Sequence, residues 1–121
     1  MPTVRIDPAQ PLAVSVTFFS PQVVTYRLWC KRPGEAKYTI FATGTDDEAS
    51  NPSKHIHTVT LPNGGEVAYL AWFSGNGNTS YRVEIDLLQG GQVLPGGALV
   101  LQGTTDAEGF AQEKNTIALT V

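Results

Sequence analysis

Apolar and polar residues alternate at a period of two almost from one end of this chain to the other, interrupted at short intervals by proline, glycine and asparagine. Successive side chains of a strand point to opposite faces, so such a run has one face to bury and one to leave in water. A helix needs apolar residues three and four apart, and no window of ten or more residues shows that spacing. The nearest approach, Ala107 to Asn115, contains Gly109 and lacks an apolar stripe. The chain is thereby restricted to sheets.

The runs can be read in order. Leu12 to Phe19 sets Leu12, Val14, Val16 and Phe18 on one face and ends before Pro21, which cannot donate to a ladder. Val23 to Lys31 sets Val24, Tyr26, Leu28 and Cys30 on one face, and Val23, Thr25, Arg27 and Trp29 on the other. The turn Arg32-Pro33-Gly34-Glu35 leads into Lys37 to Thr43. His55 to Leu61 follows a long polar stretch, and Pro62-Asn63-Gly64-Gly65 supplies the positive φ angles of a tight hairpin. Glu66 to Phe73 is apolar on both faces, as a central strand is. Ser80 to Leu87 turns Tyr81, Val83, Ile85 and Leu87 inward and Arg82, Glu84 and Asp86 outward. The turn at Gln89 to Gln92 leads into Val93 to Leu101, and Glu113 to Val121 closes the chain with Ile117, Leu119 and Val121 alternating. The pattern predicts an all-β fold, a single antiparallel β-sandwich domain of about eight strands over residues 1–121, Ig-like or jelly-roll in type and essentially without helix. The segment Gly103 to Gln112 resembles the closing turn of bacterial immunoglobulin-like modules, which implies a sandwich and no particular function.

Composition narrows the partners. A chain of 121 residues can bury one core without disulfides or a structural metal. Only 16% of residues are charged, against roughly 25% in ordinary soluble domains, so Thr, Ser, Asn, Gln and Gly cover much of the surface. The net charge of -3 includes no Lys/Arg stripe, which argues against nucleic acid and against a polybasic membrane face. No apolar run reaches the roughly 18 residues of a membrane-spanning helix. Cys30 stands alone, so no disulfide forms within the chain; it reads as a small buried apolar residue, with a reactive or intermolecular thiol as the alternative. The opening Met-Pro-Thr-Val-Arg-Ile-Asp-Pro has no signal-peptide pattern, which leaves a cytoplasmic location and export after processing both open.

The connections differ in length. If strands alternate up and down, the short turns fall at one end and every long polar loop at the other: Gly44 to Lys54, Ser74 to Thr79 and Gln102 to Gln112, together with Ser20-Pro21-Gln22. Long loops gathered on a rigid scaffold are a usual way to build a binding site. Asp46, Asp47, Glu48, Asn51, Asn76, Asn78, Asp106 and Glu108 lie in them and are the candidate ligand-binding residues. Hard oxygen donors of this kind suit calcium, with Asp46, Asp47 and Asp106 as the candidate ligands, although the spacing is not that of an EF-hand. The competing reading is a solvated polar surface, in which case no cofactor is expected.

His55 and His57 share a strand face, close enough for a common transition metal with a third ligand from Asp47 or Glu48; Val59 and Leu61 on the same face make core-edge packing the competing reading. Trp29, Trp72, Tyr69, Phe41 and Phe19 are the large aromatics that alternation does not force inward. They either stack on sugar rings or fill a core on both sides of strands 23–31 and 66–73, and the second reading is preferred. Ser74-Gly-Asn-Gly is not a nucleophile elbow, the Gly pairs do not precede helices, and Glu84 and Asp86 share a face with Arg82, so no enzyme is expected. The sequence therefore points to a non-enzymatic module binding a glycan or a protein surface through its long loops. The alternative is an assembly subunit or homo-oligomer that uses the two-sided strands, and a toxin component or inhibitor is a third reading.

Overall fold

The structure is a computed structural model describing residues 2–19, 23–46 and 53–121, with backbone alone at 46 and 53. These residues form β1 (Thr3–Arg5), β2 (Leu12–Phe18), β3 (Val23–Lys31), β4 (Thr39–Asp46), β5 (Ser53–Val59), β6 (Gly65–Ser74), β7 (Ser80–Gln89), β8 (Gln92–Thr104) and β9 (Phe110–Thr120), and no helix. One sheet has five strands in the order β1-β9-β6-β3-β4 and the other four in the order β5-β2-β7-β8. All pairings are antiparallel except that of β1 with β9.

The two sheets are layered because each has one apolar face. Leu12, Val14, Val16 and Phe18 of β2 and Tyr81, Val83, Ile85 and Leu87 of β7 are buried from the four-stranded sheet. They meet Val24, Tyr26, Leu28 and Cys30 of β3 and Val67, Tyr69, Ala71 and Phe73 of β6. Removing such side chains from water stabilises the fold by about 1.5–3 kcal/mol for each large aliphatic or aromatic residue. Cys30 is the small buried residue that alternation implies.

The structure departs from the sequence expectation at several places: β4 begins at Thr39, β5 spans Ser53–Val59, β8 runs on to Thr104, and Pro62–Gly65 joins β5 to β6 across the two sheets instead of closing a hairpin. There are nine strands among the described residues, because Thr3–Arg5 adds a short parallel strand beside Ala118–Thr120. Next, β4 runs on to Asp46 through Gly44, where the expected strand stopped at Thr43. Finally, β9 begins at Phe110 rather than Glu113.

The register places the ends of the strands. Phe18, Val23, Asp46, Ser53, Ser74, Ser80, Thr104 and Phe110 all lie at one end of the sandwich. The alternating up-and-down course expected from the turns is the course observed.

Two tyrosines tie the layers together along the open sides. Tyr26 of β3 leans across its cross-strand partner Gly44, where a Cβ would stand 2.7 Å from the phenol oxygen. Its hydroxyl reaches His57 Nε2 of the opposite sheet at 2.7 Å. On the other side Tyr81 of β7 leans across Gly103, where a Cβ would stand 2.6 Å from the hydroxyl, and donates to Glu113 Oε2 of β9 at 2.5 Å. In both cases glycine in an outer strand is the space that lets a buried aromatic ring cross to the other sheet.

Candidate functional site

At the long-loop end, residues 75–79 and 105–109 are knitted into one unit. Gly75 N–H donates to Gly109 O at 2.9 Å, Asn78 N–H to Asp106 O at 2.9 Å, and Thr105 N–H to Thr79 O at 2.9 Å. The buried Thr105 hydroxyl donates to Asn76 O at 2.8 Å and accepts from Thr79 N–H at 2.9 Å. The approach is close enough that a Cβ at Gly77 would collide with Ala107 O, and one at Gly109 with Gly75 O. Asp106 organises its own loop: Oδ1 accepts from Glu108 N–H at 3.0 Å and Phe110 N–H at 2.9 Å. Short polar side chains satisfy turn backbone in this way.

Asn76, Asn78 and Asp106 are thus brought together, as alternation required, while Glu108 follows on the same loop. Asn78 adopts φ 55°, a left-handed conformation that asparagine tolerates better than most residues. Asp47, Glu48 and Asn51 lie outside the described residues, and Asp46 is placed only as the last residue of β4. Among the described residues no group of three or more His, Cys, Asp or Glu side chains is placed to hold a metal ion.

His55 and His57 do point to one face of β5, and that face is inward. The His55 ring lies 5.8 Å from that of Phe18 and 5.9 Å from that of Tyr26, and His57 takes the Tyr26 hydroxyl. Burial holds the His57 imidazole below its usual pKa, and the neighbouring His55 adds to the effect. Their visible role is to close the side of the sandwich.

The outer face of the five-stranded sheet differs from expectation. Against the preferred two-sided core, Trp29 and Trp72 alternate with the buried Val24–Leu28 and Val67–Phe73 positions and face away from the opposite sheet. No second layer covers this face among the described residues, and Trp72 is 37% exposed. Tyr69, by contrast, is buried between the sheets and Phe41 packs against the core. Phe19 is exposed under the Arg82 guanidinium, 5.7 Å from its ring.

Where this face meets the loop end, it is indented by a groove of about 550 Å³ lined by Trp72, Phe73, Ser74, Asp106, Phe110, Ala111 and Gln112. Trp72 and Gln112 are direct cross-strand partners, and the indole N–H donates to Gln112 Oε1 at 2.9 Å. The Arg27 guanidinium stands 5.3 Å from the indole centroid. Phe110 is 56% exposed and has its backbone fixed by Asp106, with Phe110 N–H donating to Oδ1 and Phe110 O accepting from Asp106 N–H. The groove therefore combines a held indole and an exposed phenyl ring on a fixed backbone with a carboxamide, a carboxylate and a hydroxyl. A second hollow, about 360 Å³, lies on the same face between Trp29, Ala68, Leu70, Lys114 and Thr116.

Sequence reasoning missed Phe110 because the segment 102–112 reads as a polar loop, although Phe110 was its one large apolar residue. Comparison of the chain with family models, with curated proteins and with solved structures returns no match.

Proposed function

We propose that this protein is a non-enzymatic recognition module that binds an uncharged glycan, with the Trp72–Phe110 groove as its contact surface. The observation carrying the reading is the pairing of two exposed aromatic rings with polar groups on a rigid sheet. An aromatic face offers a flat apolar surface to the C–H face of a pyranose. The surrounding hydroxyls of a sugar need donors and acceptors at the rim. Gln112 spends its oxygen on Trp72, so its NH₂ is what it has to donate. Asp106 and Ser74 supply acceptors.

Charge favours a neutral ligand. Among the described residues Asp106 is the one ionisable group lining the groove, where it would repel a uronate, sulfate or phosphate, and the nearby Arg27 cation is engaged against the Trp72 ring. Preorganisation supports the same reading: the indole is held by Gln112 and Arg27, and the Phe110 backbone by Asp106, which lowers the ordering cost of binding at the indole. The groove joins the sheet face to the long-loop end. Asp106 is the one residue shared with the loop candidates, and the acidic segment at 46–48 is not required by this reading.

The test is a glycan array followed by calorimetry and by tryptophan fluorescence with the strongest neutral oligosaccharide. Loss of a central aromatic contact costs about 2 kcal/mol, or roughly thirtyfold in affinity. Trp72→Ala and Phe110→Ala are each expected to show that loss while the fold is kept. A protein ligand displaced by neither substitution, together with a blank array, refutes the proposal.

A further inference from the structure

A sandwich of two open sheets has unpaired strand edges, and three of the four here carry the features that discourage pairing with another chain. The β4 edge has a register shift opposite Leu28 and Trp29. The β5 edge carries Lys54 beside its exposed Ile56. Along β9, β1 covers Ala118 to Thr120, Asp106 takes both backbone groups of Phe110, and Asn115 Oδ1 accepts from Thr116 N–H at 2.8 Å.

The first part of β8 also has such features, Pro95 and a register shift against β7 between Asp86 and Leu88, but the stretch from Ala98 to Thr104 carries none of these. The run Ala-Leu-Val-Leu-Gln-Gly-Thr has no charge and no proline, and its register with β7 is unbroken. Thr105 N–H donates to Thr79 O across the β7–β8 pair, and Phe19 N–H takes Arg82 O on the far side of β7. Because N–H and C=O groups alternate sides along a strand, Ala98, Val100, Gln102 and Thr104 aim theirs at the open edge. Their side chains stand on the outer face, with Val100 47% exposed.

We infer that β8 pairs with β8 of a second copy of this chain, antiparallel about a twofold axis through Leu101, joining two four-stranded sheets into one of eight strands. The occupant follows from the edge itself. The two edges are uncharged, so identical copies meet without like-charge repulsion, and an isologous contact closes at two chains. With the axis at Leu101, Ala98 faces Thr104 and Val100 faces Gln102 across the interface. All four edge-directed residues are then paired, giving about eight interchain hydrogen bonds in the alternating antiparallel pattern. This contact is independent of the Trp72 groove, which lies on the other sheet.

Sedimentation equilibrium across micromolar to millimolar concentration reads the association, and hydrogen exchange at the alternate amides reads the site. The wild type is expected to dimerise, with protection at Val100 and Gln102 that grows with concentration. V100K/Q102K sets lysines directly opposite each other at two places across the axis and is expected to weaken dimerisation by at least about tenfold. V100E/Q102K sets opposite charges there instead and is expected to restore the dimer. A strict monomer at all concentrations overturns the inference. So does a dimer indifferent to V100K/Q102K, open-ended association, or failure of V100E/Q102K to recover pairing while circular dichroism shows it folded.

Discussion

Replacing Tyr81 by phenylalanine isolates a single interlayer bond. The ring is retained, so its stacked contact with Phe73 at 4.2 Å and its cover over Gly103 survive. What disappears is the donation to Glu113 Oε2 at 2.5 Å. A hydrogen bond to a charged acceptor contributes about 1.5–3 kcal/mol. Glu113 is half-buried and regains some water when the partner is lost, which places the expected cost near the lower figure, about 1.5 kcal/mol. Unfolding entropy of about 2.1 cal/mol/K per residue, taken over 121 residues, is about 0.25 kcal/mol/K. The melting midpoint should therefore fall by about 6 °C.

The pH dependence supplies a second reading of the same bond. Burial, with the hydrogen bond to Glu113 and the charge of that carboxylate, pushes the Tyr81 phenol from 10.0 up to about 12. The native state holds this proton more tightly than the unfolded chain does, so stability is lost as pH rises between those two values. Chemical denaturation of wild type and Tyr81→Phe at neutral pH and at rising alkaline pH is the assay. The gap between them should narrow as pH climbs. A gap near zero at neutral pH, or one that widens with alkalinity, refutes the tether.

Three other outcomes follow from the geometry. The His57 pKa is depressed by burial and by His55, so the unfolded chain binds the proton first; stability should fall as pH drops below the ordinary histidine range, and His57→Gln should flatten that slope in urea titrations. Stability that rises on acidification would contradict this. Asp106→Ala removes an acceptor for two backbone N–H groups and should cost about 1–2 kcal/mol, equally in calcium and in chelator; a loss that appears only with calcium would make Asp106 a metal ligand. Gly109→Ala combines φ 89° with a collision against Gly75 O and should cost at least about 2 kcal/mol by thermal melt, so a near-neutral result would break the described junction of the two loops.

Residues that alternate cleanly were legible. Leu12–Phe18 and Tyr81–Leu87 bury the side chains their period assigns, since one face of each has a sheet to pack against. Asn63-Gly64 turns the chain as read, with Gly64 at φ 78° and its N–H donating to Leu61 O, but β5 and β6 belong to different sheets, so the turn crosses between the layers instead of closing the expected hairpin. Where sequence failed, the deciding partner was distant in the chain. Gly44 reads as a strand breaker, yet β4 passes through it because Tyr26 fills the space above. Strand β1 is three residues long and is held by β9, which no local pattern reveals. Trp29 and Trp72 sit in strands apolar on both faces, and periodicity alone does not distinguish a covered face from an open one. The groove escaped notice for a related reason: Trp72, Gln112 and Phe110 come together only through the β6–β9 register.

The most direct test of the glycan-binding account is the fluorescence titration of the chain with neutral oligosaccharides, run beside Trp72→Ala and Trp29→Ala. Saturable change in the wild type, kept in Trp29→Ala and lost in Trp72→Ala, is the predicted result. Binding that persists in Trp72→Ala, or no response to any neutral glycan, would contradict it.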